Sequence, residues 1–171
     1  MDRENKLYNV MFPIWMLLWF PQTWIITLPV NFLIDLFVLW IAMKRVQVSE
    51  RKIKIKKAIL KTWIAGFAAD FVGGFFMLAV ALIDWGTNSA IWLWWDTYMT
   101  SMIMANPFGS WCAFLWTTVC VFIAAVLIYF LNRKWCLKGL ELTKEQMHKI
   151  ALAVAVFTAP YLFYLPTIWF W

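Results

Sequence analysis

Long apolar runs, separated by two short basic stretches, organise this chain. The first run extends from about Leu7 to Met43. As one helix its 37 residues would measure about 55 Å, against a bilayer hydrocarbon core of about 30 Å. Pro13, Pro21 and Pro29 also interrupt it. Two elements are therefore expected: an interfacial helix near residues 8–20 and a first membrane span at about 22–43, kinked by Pro29. A polar stretch follows at 44–61. Ser49 has the chemistry of an N-cap, and Glu50 suits the positive end of a starting helix. Helix two is thus expected to begin near Glu50 with solvated basic turns, then to span at 62–84. The alternation from Ile53 to Lys56 is too short to indicate a strand.

Within 85–110, residues 90–105 hold three Trp, one Tyr and Asp96, with a Met-rich run that leads to Asn106-Pro107. Indoles favour the membrane–water boundary, so a second interfacial helix is expected near 90–105. A third span fits 111–131. After a basic connection at 132–149, with Thr143 as the expected helix cap, a fourth span fits 150–170, with Pro160 and Pro166 inside it. The fold class predicted is an all-α integral membrane protein, one polytopic domain over 1–171.

Composition narrows the alternatives. The chain is 64% hydrophobic and 14% charged, with 14 Trp and 15 Phe in 171 residues. A soluble domain of this size has too little interior to hide that surface, and a disordered chain would lack it. Cys112, Cys120 and Cys136 form no C-x-x-C pair and read as small hydrophobes. His148 has no Cys or His near it in sequence, so a metal site built on it is not expected. Met1–Lys6 has mixed charge and leads to no small-residue cleavage site, unlike a removable signal peptide. Phosphate-binding, dinucleotide, zinc-protease and serine-hydrolase motifs do not occur, so no enzymatic activity is expected.

Charge sets the expected orientation. Of 15 Lys and Arg, eight lie in 44–61, five in 132–149, two near the N-terminus and none in 85–110. The positive-inside rule makes both basic connections cytoplasmic. The run Lys44, Arg45, Arg51, Lys52, Lys54, Lys56, Lys57 and Lys61, opposed only by Glu50, carries +7. On a helix Lys54, Lys57 and Lys61 share one stripe, and Lys52 and Lys56 a neighbouring one. Such an array serves membrane topology and anionic lipid, the acidic face of a protein, or the backbone of a nucleic acid. No aromatic residue interleaves it, so base stacking is not indicated.

Two carboxylates form the other candidate site. Asp35 lies nine residues before Lys44 and Asp70 nine after Lys61, so each sits about 13 Å inside the cytoplasmic boundary. Asn31 is one helical turn from Asp35. Gly66, Gly73 and Gly74 flank Asp70 on a face where another helix can approach closely. No cationic residue within either span can pair with these acids. An isolated charge there costs at least ~2.5–3.5 kcal/mol. The two Asp therefore share a proton, hold a cation such as hydrated Mg²⁺, or line a water-filled cavity. A small transporter or channel for a cation (Mg²⁺, Na⁺) or for protons is the alternative function this pair suggests. Apart from Mg²⁺, no cofactor is expected.

The segment Arg51-Lys52-Ile53-Lys54-Ile55-Lys56-Lys57 reads R-K-x-x-x-K-K. Placed between the first two spans of a small four-span protein with acids inside them, it resembles the OapA family, the membrane partners of OLE RNA, a large structured noncoding RNA of Gram-positive bacteria. The resemblance implies a ribonucleoprotein at the bacterial cell membrane and a homodimer. It also implies a role in stress adaptation to alcohols, cold and altered magnesium. Carried over by position, Arg51, Lys52, Lys56 and Lys57 would contact RNA, with Lys54 as an added cation.

Overall fold

The computed structural model describes residues 16, 19–83 and 89–169. The helix expected near 8–20 lies outside them except for Met16, Trp19 and Phe20. Among the described residues the secondary structure is entirely helical. Four helical stretches are long and apolar enough to cross a membrane: Pro21–Arg45, Arg51–Ala81, Trp111–Cys136 and Lys144–Tyr164. The chain is thus an all-α, multi-pass membrane protein.

Helix α1 (Trp24–Arg45) starts from a 3₁₀ turn at Pro21–Thr23 and continues through Pro29. It leads to α2 (Arg51–Ala81) by a tight turn in which Gln47 and Glu50 adopt positive φ. The expected cap is corrected here. Glu50, not Ser49, occupies the N-cap position, and no side chain caps the helix. At φ 50° the Glu50 backbone is left-handed, because the chain must reverse within five residues while Val48 is held in the core by its N–H bond to the Met43 carbonyl at 3.0 Å. Helix α2 is 31 residues long, about 46 Å. It is longer than a bilayer core requires, and its basic first turns pack Ile55, Ala58 and Ile59 into the bundle end.

After the undescribed 84–88, residues 90–105 form an irregular helix as expected. The short helices α3 (Ala90–Trp95) and α4 (Ser101–Ala105) are joined by a π-helical turn at Asp96–Thr100. Ser89 caps α3 by accepting from the Trp92 N–H. The Trp95 indole donates to the Val80 carbonyl at 3.1 Å. Met99 and Ile103 are buried, so this segment folds back onto the end of the bundle. Helix α5 (Trp111–Leu131) matches the third expected span and widens into a π turn at Asn132–Cys136.

Helix α6 (Lys144–Phe157) begins with a complete capping box: Thr143 accepts from the Gln146 N–H, and the Gln146 side chain accepts from the Thr143 N–H. It does not continue as the single span expected at 150–170. It stops at Thr158, and the chain proceeds through 3₁₀ turns at Tyr161–Tyr164 and Thr167–Trp169. Pro160 and Pro166 supply no N–H and clash with a preceding helical turn, so they end the helix rather than bend it. Thr158 turns its hydroxyl onto the Val154 carbonyl at 2.9 Å.

The four long helices pack in a ring, α1 against α2, α2 against α5, α5 against α6, and α6 against α1. Two apolar clusters fill it. Leu39, Met43, Ile128, Leu137, Ile150 and Val154 pack toward the basic end. Met77, Val80, Ile103, Cys120 and Phe163 pack toward the other. Many large apolar side chains, among them Ile25, Leu33, Phe37, Leu115 and Phe122, point outward and are exposed, as lipid-facing positions require. Between α2 and the end of α5 one polar tie is fully buried: the Thr62 hydroxyl donates to Asn132 Oδ1 at 2.9 Å, and Asn132 Nδ2 donates to the Ile128 carbonyl at 2.9 Å. Asn132→Ala removes both bonds. It is expected to destabilise the folded protein by about 1–3 kcal/mol, read by denaturant unfolding in mixed micelles. Unchanged stability would mean that the tie contributes nothing to the α2–α5 packing.

Candidate functional site

The chain reversals at 46–50 and 132–143 lie at one end of the bundle. That end carries thirteen Lys and Arg against three acids, Glu50, Glu141 and Glu145. Of the eight cations in 44–61, Lys44, Arg45, Lys52, Lys56, Lys57 and Lys61 are exposed. Arg51 is half-buried. Its guanidinium and the Lys44 ammonium both lie over the Trp40 ring, at 5.5 and 5.3 Å. This pairs an apolar platform with two cations near the membrane boundary.

Lys54 departs from expectation. It is 7% exposed, and its ammonium donates to the Glu141 carbonyl at 3.3 Å. It joins the first turn of α2 to the 137–143 turn and does not belong to the exposed array. No local pattern distinguishes it from Lys52 or Lys56, because its acceptor is 87 residues away. The second basic connection extends the surface. Lys138 and Lys144 are exposed. Arg133 donates to the Tyr129 hydroxyl at 2.7 Å, and that hydroxyl is 2.9 Å from His148 Nδ1. Lys149 pairs with Glu145 at 2.6 Å. Both side chains are exposed, and such a pair contributes little to stability.

The second site is a cavity of about 460 Å³ between α1, α2 and the segment after α6. Asn31, Asp35 and Asp70, separated by up to 39 positions in sequence, all line it. Asp35 is 5% exposed. Gly66 lies beside it: a Cβ there would meet Asp35 Oδ2 at 3.6 Å, an ordinary contact. Asp70 Oδ1 is shielded from solvent and has no hydrogen-bond partner among the described residues. Thr158 is the polar residue that sequence reading missed. It neighbours Asp35, but its proton is committed to Val154. A Thr two residues before a Pro in an apolar run is the signal that could have found it, since such a residue is poised to leave a helix. Trp63 and Phe67 form aromatic walls, and the Trp63 indole is held by the Leu28 carbonyl at 3.0 Å. Among the described residues no three His, Cys, Asp or Glu side chains converge. A metal ion in this cavity would therefore have two carboxylates, the Asn31 amide and water as its ligands.

No protein-family model, curated protein or solved structure matches this chain. The resemblance to the OapA family rests on the basic heptad, its position between two spans and the four-span architecture.

Proposed function

We propose that this protein is a nonenzymatic, membrane-anchored RNA-binding protein. It holds a large structured noncoding RNA of the OLE class at the cytoplasmic face of a bacterial cell membrane, as part of a homodimeric ribonucleoprotein used in stress adaptation. The observation that carries this reading is the exposed array Lys52, Lys56, Lys57 and Lys61 on the first turns of α2. It sits at the one end of the bundle where almost all cations gather. Exposed ammonium groups gathered there can meet the phosphates of a folded RNA. Neutralising those phosphates releases condensed counterions and drives binding without base readout. Purification from the host in mild detergent, followed by sequencing of the RNA that accompanies the protein, tests the proposal. A preparation in which no single structured RNA is enriched would overturn it.

Contact with cytoplasmic RNA requires the basic end to face inward. With the three native cysteines replaced, single cysteines at Ser49 and Thr143 are expected to resist an impermeant thiol reagent in intact cells, whereas one at Thr87 is expected to react. Labelling of position 49 from outside would reverse the orientation and remove the RNA reading.

The cavity supports a second reading, that the protein also binds a cation or a proton at Asp35 and Asp70. What favours it is the shielded Asp70 Oδ1, an acceptor without a donor among the described residues, in a place where an unsatisfied carboxylate is costly.

A further inference from the structure

We propose that the cavity at Asp35 and Asp70 binds a lipophilic monovalent organic cation, a protonated amine or onium group carrying an apolar body. This rests on the reading of the cavity as a cation site and specifies its ligand. The volume, about 460 Å³, is that of a site for a small organic molecule and far exceeds what a proton or a bare metal ion needs. The walls are apolar and aromatic, with Trp63, Phe67 and Phe163 among them. Among the described residues, the only charged side chains lining the cavity are the two carboxylates. Hydrated Mg²⁺ keeps an ordered shell of waters that demand acceptors around them, and these walls supply few. An organic cation is weakly hydrated. Its charge would complement Asp35 and Asp70 Oδ1, which has no partner among the described residues, while its apolar arms cover the rings, where a cation is further attracted to the π faces.

The route of entry agrees with this chemistry. Ile26, Val30 and Ile34 on α1, and Phe157, Tyr161 and Leu162 across from them, line the cavity and are also exposed. The opening thus lies on the flank of the bundle, on the lipid-facing perimeter of a multi-pass protein. The break in α6 creates it: had the helix continued past Thr158, the gap beside α1 would be filled by a regular helical face. A ligand that partitions into the bilayer reaches this opening. A hydrated inorganic ion does not.

The test uses the full chain in phosphatidylglycerol nanodiscs, with radiolabelled tetraphenylphosphonium as the probe in equilibrium dialysis. Saturable binding near one probe per chain is expected. Asp35→Asn and Asp70→Asn are each expected to weaken it at least roughly tenfold, as loss of a charged partner does. Gly66→Leu, which keeps both carboxylates but fills the cavity, is expected to weaken it as strongly. Monodisperse elution of each variant shows that it is folded. Neutral triphenylphosphine oxide and millimolar Mg²⁺ are expected not to displace the probe. Displacement by Mg²⁺ would overturn the organic-cation proposal and leave the cation-site reading standing. Equal binding by the Asn variants, or displacement by the neutral compound, would overturn both. Discs containing phosphatidylethanolamine separate the two sources of such a cation. Loss of probe binding there supports an aminolipid headgroup as the occupant, and retention in both lipids supports a soluble amine.

Discussion

Replacing Lys52, Lys56, Lys57 and Lys61 together by Ala is expected to lower RNA affinity by on the order of 10³ at physiological salt. The figure follows from counterion release, worth about 1 kcal/mol for each phosphate contact at that ionic strength. All four amines are exposed on α2, and none is an element of the packing, so the folded protein should remain intact. The slope of log affinity against log salt should become shallower by roughly 0.7–0.9 for each contact removed, about 3 in all. Because the contacts are to backbone phosphates, the loss should be nearly uniform across RNA sequences. Lys54→Met provides the internal control. Its ammonium is buried against the Glu141 carbonyl, so this change should leave the salt slope unaltered and appear instead as a loss of stability. Filter binding or fluorescence anisotropy across a salt series measures both. A quadruple variant that binds as tightly as wild type would show that the basic array serves lipid or topology alone.

Gly73→Leu is expected to disrupt the folded bundle, by about 3 kcal/mol, near the upper end of what overpacking costs. A Cβ at Gly73 would already lie 3.0 Å from the Phe163 ring, 3.2 Å from Ala124 Cβ and 3.2 Å from the Cys120 carbonyl oxygen. The ring can move, but the carbonyl belongs to the backbone of α5. Relief therefore requires α2 and α5 to separate, which opens the packing around Met77, Cys120 and Phe163. Gly66→Ala is the contrasting change. Its Cβ meets only Asp35 Oδ2, at 3.6 Å, an ordinary contact, and stability should change by less than about 1 kcal/mol. Denaturant unfolding in the same micelles compares the two. Equal effects would mean that the α2–α5 crossing is not set by the absence of a side chain at Gly73.

Much of this architecture was readable without coordinates because lipid makes the rules local. A helix must satisfy its own backbone in hydrocarbon, so an apolar run of about 20 residues is enough to locate a span. The third span was legible at 111–131 for that reason. The cap at Thr143 was legible because a capping box is complete within four residues. The equal distances of Asp35 and Asp70 from the two ends of a basic connection suggested a common level, and only the packing of α1 against α2 brought both to one cavity. The start of α2 was less legible. Ser49 has the right chemistry, but the core position of Val48 and the sharp reversal between α1 and α2 moved the boundary to Glu50.

Composition and periodicity thus gave the solvent of this protein, its number of membrane-crossing stretches and the end at which its charge collects. These are properties of single segments in water or lipid. Tertiary contacts settled the rest. They turned Lys54 inward onto a carbonyl 87 positions away, and they gave Gly73 a packing role and Gly66 a role beside a carboxylate. They also placed the broken end of α6 as the wall of the Asp35–Asp70 cavity. The prolines announce a break in that helix. What the broken end faces depends on how α6 docks between α1 and α5, and burial of apolar surface among residues distant in sequence sets that docking.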